Sequence, residues 1–281
     1  MTQFSESPRR SMRSARPTRR DFLQASSAAA GAAAVTGLAL DRMVHAAGTE
    51  VFRVGLVGCG GRGSGAALNA MNAGKDVKLV AMADVFEERI TGALKRLKAE
   101  KPDQVAVDPS RCFFGFDAYQ RVIDSGVDVL VVATASHFHP MILEAGVRAG
   151  KHIFCEKPHA VDVPGLKRAM AAAEEARKKN LSIVSGLCWR YDPGVRETIK
   201  RVRDGAIGQI VAIQETYITS PYGLRERRPG WTEMEYQLQN WYHFNWLSGD
   251  QTGQQLIHLS LIHISEPTRL LSISYAVFCL K

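Results

Sequence analysis

The sequence predicts an α/β protein built on a doubly wound parallel sheet, for three reasons. Apolar runs of strand length alternate with amphipathic segments of helix length between about residues 51 and 155. The first apolar run passes through a glycine-rich turn into a segment of small residues. Polar or glycine-rich sequence follows four of the predicted strands, and ligands bind beyond the carboxyl ends of strands in such sheets.

The first predicted strand and its turn lie in Val51–Gly63, which reads V-F-R-V-G-L-V-G-C-G-G-R-G. The apolar residues suit a strand buried on both faces, and Ala66–Ala73 is predicted to be helical. Glycines spaced as GxGxxG allow a tight turn, close approach of backbone to a pyrophosphate, and close packing of helix on strand. The helix N-terminus adds free amides and partial positive charge. We therefore predict a dinucleotide pyrophosphate site at Gly58, Cys59, Gly60, Gly61, Arg62 and Gly63.

The next predicted strand, Val77–Ala83, is followed by Asp84, about 20 residues after the glycine turn as dinucleotide sites require. An acid here accepts hydrogen bonds from the adenosine ribose hydroxyls and repels a 2′-phosphate. The sequence therefore favours NAD, with NADP the less favoured cofactor. The alternative is an ordinary strand-to-helix turn with a solvated aspartate.

The remaining elements continue the alternation of strand and helix. They are predicted as helix Glu87–Lys98, strand Arg111–Phe116, helix Asp117–Asp124, strand Val127–Thr134, helix Met141–Ala149 and strand Lys151–Cys155. Thr134–His139 and Glu156–Pro158 follow the last two strands, so we expect both segments beside the glycine turn and Asp84.

Composition excludes several classes of function. The formal charge of +8 falls to +4 without residues 1–47, which hold seven arginines and three acids, so no nucleic-acid site is predicted. The five cysteines show no CxxC spacing and read as small buried residues. No metal site is predicted from His137-x-His139, nor from His152, Cys155 and His159, because no nearby carboxylate or cysteine completes a tetrahedron. No stable membrane span is expected.

Residues 1–47 resemble a twin-arginine signal peptide. Thr18–Gln24 reads T-R-R-D-F-L-Q, a weakly apolar segment Ala25–Leu40 follows, and Val44–Ala47 offers small residues for cleavage. The resemblance implies export of the folded protein to the periplasm by the twin-arginine machinery. The alternative is a disordered basic tail.

Three motifs together resemble the Gfo/Idh/MocA oxidoreductase family, from about Val51 to His258. They are GxGxxG, the A-T-x-x-x-x-H segment Ala133–His139, and the E-K-P motif Glu156–Pro158. The resemblance implies an NAD-binding Rossmann domain over residues 48–160 and the start of an α+β open-sheet domain, for substrate and oligomerisation, over 161–258. The full-length protein is expected to be a homo-oligomer. Further cofactor-binding residues implied are Thr134, Ser136, His139, Glu156 and Lys157.

Lys157 is the predicted catalytic residue. A desolvated lysine beside a cationic nicotinamide has a lowered pKa and can serve as a base for the substrate hydroxyl. Glu156 would orient Lys157 or contact the cofactor carboxamide. His258 is a second catalytic candidate, although Gln254 stands where the family usually has an acid. The alternatives are a surface lysine and a satisfied buried histidine.

The aromatic stretch after residue 220 suggests a substrate pocket, because aromatic faces bind the apolar faces of sugar rings. Core packing is the open alternative. The residues predicted to bind the substrate are Arg190, Tyr191, Trp241 and Tyr242. The preferred function is an NAD-dependent oxidoreductase of a sugar or polyol hydroxyl. The alternatives are an NAD-dependent glycosidase acting by transient oxidation and elimination, and a non-catalytic NAD-holding protein.

The last residues, Leu259–Lys281, resemble a translated sequencing-library adapter. Without them, the second domain supplies about one predicted strand, Ile207–Thr219, and is truncated. A lone strand exposes unpaired edges and an apolar face. We therefore expect residues 1–281, expressed as written, to be aggregation-prone or inactive.

Overall fold

The computed structural model describes residues 51–259. The signal-peptide prediction for residues 1–47 and the adapter-like segment from residue 260 onward lie outside the described residues. Export, and the origin of the C-terminal segment, therefore stay predictions.

Six parallel strands form one sheet in the order β3-β2-β1-β4-β5-β6. This is the strand order of a dinucleotide-binding Rossmann sheet, and it confirms the predicted doubly wound fold. The strands are β1 Phe52–Val57, β2 Val77–Asp84, β3 Cys112–Phe114, β4 Val129–Val132, β5 His152–Cys155 and β6 Ile183–Ser185.

Eight α-helices accompany the strands within residues 51–259. They are α1 Gly61–Asn72, α2 Glu87–Glu100, α3 Ala118–Asp124, α4 His139–Arg148, α5 Val163–Lys178, α6 Pro193–Arg203, α7 Glu233–Gln239 and α8 Asn245–Ser248. The helices and strands predicted up to residue 155 all occur, with ends shifted by a few residues. The largest shift is in α1, which begins five residues before the predicted Ala66 because the glycine turn itself enters the helix.

The sheet extends further along the chain than the sequence predicts. We expected the dinucleotide-binding domain to end near residue 160, yet β5 pairs with β6, which ends at Ser185. The intervening α5 presents only three alanines to the core, Ala169, Ala172 and Ala176. A stripe of alanines gives a weak amphipathic signal, and β6 is only three residues long.

The two faces of the sheet bury separate hydrophobic clusters. Leu130 and Val132 of β4 belong to one cluster, whereas Val129 and Val131 belong to the other. All four side chains are almost completely buried. Burial on both faces explains why this strand reads as a continuous apolar run.

The predicted strand Ile207–Thr219 is wrong. In the described residues this segment belongs to no strand, and Val211 and Ile218 are each 90% exposed. A strand needs a neighbouring strand to satisfy its backbone hydrogen-bonding groups, and no strand among residues 51–259 pairs with this segment. The open sheet expected for the second domain is accordingly not formed by residues 161–258.

Among residues 51–259, no helix combines the length and the apolar composition that crossing a bilayer demands.

Two helical glycines should respond oppositely to alanine. A Cβ at Gly146 of α4 would lie 2.8 Å from Leu130 Cδ1 and 2.9 Å from Ile153 Cδ1, whereas a Cβ at Gly92 of α2 meets nothing within 4 Å. We expect Gly146→Ala to lower the free energy of unfolding by about 1–2 kcal/mol, because overpacking outweighs the gain in helix propensity. Gly92→Ala should raise it by about 1 kcal/mol. Urea unfolding measures both, and a Gly146→Ala protein as stable as the parent would contradict the packing described.

Candidate functional site

The glycine turn between β1 and α1 has the shape that a phosphate-binding turn needs. Gly58 has φ of +97°. A Cβ at Gly63 would lie 1.8 Å from the Gly58 carbonyl oxygen, so any side chain at Gly63 would push helix and strand apart. No side chain among the described residues caps α1, and its first turn holds no acid. The helix N-terminus is therefore suited to an anion.

Asp84 lies at the carboxyl end of β2 and is tied to the glycine turn. Its carboxylate accepts hydrogen bonds from the amides of Cys59 at 2.7 Å and Phe86 at 3.0 Å. Burial raises the pKa of Asp84, and these two amide bonds oppose the increase. A carboxylate has about four acceptor positions, so two such bonds leave capacity for ribose hydroxyls.

Cys59 contributes differently from the phosphate contact predicted for it. Its amide is engaged by Asp84, and its buried thiol donates to the Ala83 carbonyl oxygen at 3.3 Å. Burial raises the pKa of this thiol. Cys59 therefore supports Asp84 rather than facing a ligand.

An apolar pocket opens next to Asp84. Its wall includes Phe86, Tyr119, Phe138 and Met141, and Thr134 borders it at the end of β4. Aromatic and apolar walls with one acid at the edge suit a flat heterocycle joined to a hydroxylated sugar.

Arg89 lines this pocket, and Gln239 and Arg225 form a hydrogen-bonded cluster with it; no sequence motif predicts these three residues. The Gln239 side-chain oxygen accepts hydrogen bonds from Arg89 Nη2 at 2.8 Å and from Arg225 Nη1 at 3.0 Å. Arg89 Nε is buried and has no hydrogen-bond partner among the described residues. In the sequence, Arg89 looks like part of the charged outer face of α2. Only the fold brings Gln239, 150 residues later, against it.

Glu156 and Lys157 follow β5 and have different partners. Glu156 is 7% exposed and accepts a hydrogen bond at 2.6 Å from Nε of Arg62, in the first turn of α1. Lys157 is partly buried, and its Nζ donates to the backbone oxygen of Gln254. Glu156 therefore does not orient Lys157 through an ion pair, which was one of the two roles expected for it.

The pKa of Lys157 is lowered, as its predicted role requires. Burial is the main cause, and the charge of Arg62 lowers the pKa further. The charges of Glu156 and Cys188 oppose this effect. The neutral amine is therefore more favoured at Lys157 than it is in an exposed lysine.

His139 does not face the pocket. Its ring has no exposed surface, with Nδ1 2.7 Å from the Pro158 oxygen and Nε2 3.1 Å from the Thr134 oxygen. Burial lowers its pKa to about 4. The direct cofactor contact predicted for His139 does not fit this geometry, because the ring joins the chain segments that follow β4 and β5 instead.

Ser136 is likewise buried, and a cofactor contact does not fit its position. Its hydroxyl accepts a hydrogen bond from Gln254 Nε2 at 2.8 Å, and the same amide donates to the Ser248 oxygen at 2.5 Å. Gln254, at the position where the family usually has an acid, thus connects residues 248–254 to the segment that follows β4. Its backbone oxygen is left to bind Lys157.

His258 lies in the electrostatic field of the Lys157 site. Burial lowers its pKa, and the charges of Lys157 and Arg62 lower it further. Its Nδ1 is buried without a partner among residues 51–259, and its ring centroid is 5.5 Å from that of Trp189. The fold therefore brings two residues 101 positions apart into one site, while the catalytic role of His258 stays a prediction.

Three aromatic rings form a stack near the site. Tyr242 lies between Trp241, at a centroid distance of 3.9 Å, and Tyr222, at 4.2 Å. Burial raises the pKa of Tyr242 to about 12, and the charge of Glu156 contributes. Tyr242 thus keeps its proton and can donate a hydrogen bond. Arg190 and Tyr191 lie in a short 3₁₀ turn, Cys188–Tyr191, and their contact with substrate stays a prediction.

A histidine–cysteine cluster does form, with a different membership from the sets considered in the sequence. Atoms of His139, Cys155 and His159 lie within 4.8 Å of one another. Each ring nitrogen is already close to an oxygen atom; those of His159 lie 3.2 Å from the Glu156 oxygen and 2.9 Å from Ser185 Oγ. We interpret the cluster as buried hydrogen bonding between strand ends.

Comparison with known proteins supports the family resemblance drawn from the motifs. The Gfo/Idh/MocA family model, described as "Oxidoreductase family, NAD-binding Rossmann fold", matches residues 52–184. Myo-inositol 2-dehydrogenase of Thermotoga maritima is 27% identical over 158 residues, which are 56% of this chain and 42% of that protein. Glycosyl hydrolase family 109 protein 1 of Bacteroides fragilis is 26% identical over 171 residues, 60% of this chain and 35% of that protein.

Among solved structures, scyllo-inositol dehydrogenase from Lactobacillus casei, with bound NAD(H) and scyllo-inositol, is similar at 25% identity and a TM-score of 0.46. The match covers 57% of this chain and 43% of that one. This chain covers less than half of the length of each of these three relatives.

His139 should give the protein a distinctive loss of stability in acid. Its pKa is about 6.5 unfolded and about 4 folded, so the unfolded chain takes up this proton first. The contribution of neutral His139 to the free energy of unfolding is fully present above pH 6.5. It decreases as the pH drops toward 4, by up to about 1.4 kcal/mol per pH unit.

We expect His139→Gln to reduce the slope of unfolding free energy against pH between 6.5 and 4, measured by urea unfolding. His137→Gln is the matched control, because this exposed ring lies two residues away. Equal slopes in the parent and His139→Gln proteins would show that the buried ring is not neutral.

Proposed function

We propose that this chain belongs to an NAD-dependent oxidoreductase of the Gfo/Idh/MocA family that acts on a secondary hydroxyl of a sugar or polyol. The observation that carries the proposal is the position of Lys157. This partly buried lysine follows β5, and its neighbour Glu156 is bonded to Arg62 of the glycine turn. A basic group and an anion-binding turn thus meet at one edge of the sheet.

The residues present fit a dinucleotide. The space between Gly58 and Gly63 admits no side chain, which is the close packing that a phosphate-binding turn uses. Asp84 would hold the ribose hydroxyls, and the pocket of Phe86, Tyr119 and Phe138 would take the adenine. When bound, the nicotinamide supplies the acceptor for a hydride from the carbon that carries the hydroxyl.

Lys157 would take the proton of that hydroxyl. Partial burial favours its neutral form and limits the access of water. The bond to the Gln254 backbone oxygen fixes Nζ and leaves the nitrogen lone pair as the basic site. His258 also has a lowered pKa and interacts electrostatically with Lys157, which supports a role in exchanging a proton with this amine.

A sugar or polyol suits the aromatic stack of Trp241, Tyr242 and Tyr222. A ring carbon face packs on an aromatic face, while the protonated Tyr242 hydroxyl offers a hydrogen bond. The similarity to myo-inositol 2-dehydrogenase supports a cyclic polyol as the first substrate class to test.

A second candidate is an NAD-dependent glycosidase, in which oxidation is transient and a glycosidic substituent is eliminated. The similarity to glycosyl hydrolase family 109 protein 1 favours including it. Both activities need the same lysine and glycine turn. Net NADH formation marks the dehydrogenase, whereas glycoside cleavage without net NADH marks the glycosidase.

Lys157→Met should separate catalysis from binding. In the full-length protein, we expect turnover on a panel of inositols, aldoses and glycosides to fall by about 10²-fold or more, because the general base is lost. The dinucleotide dissociation constant should stay within a few-fold of the parent value. Lys167→Met, on the exposed side of α5, is the control and should match the parent.

Turnover unaffected by Lys157→Met would reject the proposed base. A full-length parent protein that binds NAD tightly but turns over nothing on the panel would instead indicate a non-catalytic NAD-holding protein.

Asp84→Asn should weaken the preference for NAD over NADP. The amide keeps an acceptor for the Cys59 or Phe86 amide and removes the negative charge that would repel a 2′-phosphate. We expect the ratio of the NADP and NAD dissociation constants, measured by calorimetry, to fall by about tenfold or more, since one charge contact of this kind is worth roughly 1.4 kcal/mol in a partly buried site.

Asp204→Asn, at the exposed position directly after α6, serves as the charge-matched control for Asp84→Asn. A parent protein that already prefers NADP would contradict the assignment of NAD.

A further inference from the structure

We propose that Arg62 is a positioning residue for Lys157: by binding the Glu156 carboxylate, it keeps this buried negative charge paired with the glycine turn and leaves Lys157 without an acidic partner. The inference rests on the proposed function and deepens it. It assigns to the fifth residue of the GxGxxG motif a task beyond phosphate binding.

The pair is built into the fold. Arg62 Nε and Glu156 Oε1 are 2.6 Å apart, the Glu156 side chain is 9% exposed, and 94 positions of sequence separate the two residues. A Cβ at Gly186 would lie 2.5 Å from Glu156 Oε2, so this glycine provides the space in which the carboxylate sits. A carboxylate this buried is strongly destabilising unless it is paired.

The obvious competitor for Glu156 is the adjacent lysine. Within the described residues, however, Lys157 forms no ion pair, and its Nζ donates to the Gln254 backbone oxygen. The pairing with Arg62 thus decides which cation neutralises Glu156. Without Arg62, the charge of Glu156 would still act on the adjacent Lys157, whose amine the reaction needs in its neutral form.

The groups around Lys157 come from several elements. Five residues interact with Lys157 through their charges: the preceding Glu156, Arg62 of α1, His139 of α4, Cys188 of the 3₁₀ turn, and His258. Arg62 lowers the pKa of Lys157, and Glu156 raises it. Removing Arg62 alone takes away the charge that counters Glu156, while burial still lowers the pKa, so the pKa of Lys157 should increase from its value in the parent.

Dinucleotide binding reports the charge of Lys157 without any turnover. The oxidised nicotinamide ring is cationic and the reduced ring is neutral, so a protonated Lys157 weakens NAD⁺ binding but not NADH binding. The dissociation constant of NAD⁺ divided by that of NADH should therefore fall as pH rises through the pKa of Lys157. The midpoint of this change is the quantity to compare between variants.

The experiment measures this midpoint by calorimetry in the full-length protein for the parent and five variants. We expect Arg62→Gln to move the midpoint upward by about one pH unit, because a carboxylate next to an amine shifts its pKa by this order. Arg62→Lys should stay close to the parent. Glu156→Gln should move the midpoint downward, and Arg62→Gln combined with Glu156→Gln should shift it less than Arg62→Gln alone.

Arg148→Gln is the matched control, because it breaks an exposed Arg–Glu pair of 2.8 Å on α4 and should leave the midpoint unchanged. An unchanged midpoint in Arg62→Gln with both dinucleotides still bound would overturn this inference and leave the proposed function intact. Should Arg62→Gln fail to fold, Glu156→Gln decides, and no downward shift overturns the inference. A parent protein that binds neither NAD⁺ nor NADH rejects the proposed function itself.

Discussion

The site depends on the contact between the start of α1 and the end of β1. Gly63 packs so closely on Gly58 that no Cβ fits between them. This contact aims the N-terminus of α1 at the edge where β1, β2, β4 and β5 end. It also places Arg62 on the side of Glu156 and brings the Cys59 amide to Asp84. One steric constraint thus fixes the phosphate-binding turn, the ribose-binding acid and the partner of the buried glutamate.

The sequence was sufficient for the parts of the fold with strong local signals. β4 is apolar because it is buried on both faces, the glycine spacing follows from helix–strand packing, and Asp84 stands where a strand ends. It was insufficient where the outcome depends on distant partners. Ile207–Thr219 alternates like a strand but finds no strand to pair with, and the alanine stripe of α5 conceals that β6 completes the sheet.

The same distinction between local signals and distant partners applies to the candidate site. The glycine turn, Asp84 and Lys157 could be identified because motif spacing encodes them. The pairing of Glu156 with Arg62 could not, because its two members are 94 positions apart and Glu156 has a lysine as its sequence neighbour. His139 occupies a motif position and Ser136 lies within the same segment, yet both are buried, since a polar side chain near a strand end can bind the backbone or another side chain. Spacing therefore located the site but did not distinguish residues that face it from residues that hold it.

Gln254 shows that the chemistry of Lys157 depends on how its neighbours are arranged and not only on their residue types. An acid at this position would place a second negative charge close to Lys157 and favour the ammonium form. The glutamine supplies its backbone oxygen to Nζ without a net charge, and its side chain is occupied by Ser136 and Ser248. With Glu156 neutralised by Arg62, Lys157 has a neutral acceptor and no ion-pair partner among the described residues. A lysine held in this way is anchored in position without being locked in its charged form, which is the condition that a general base at neutral pH has to meet.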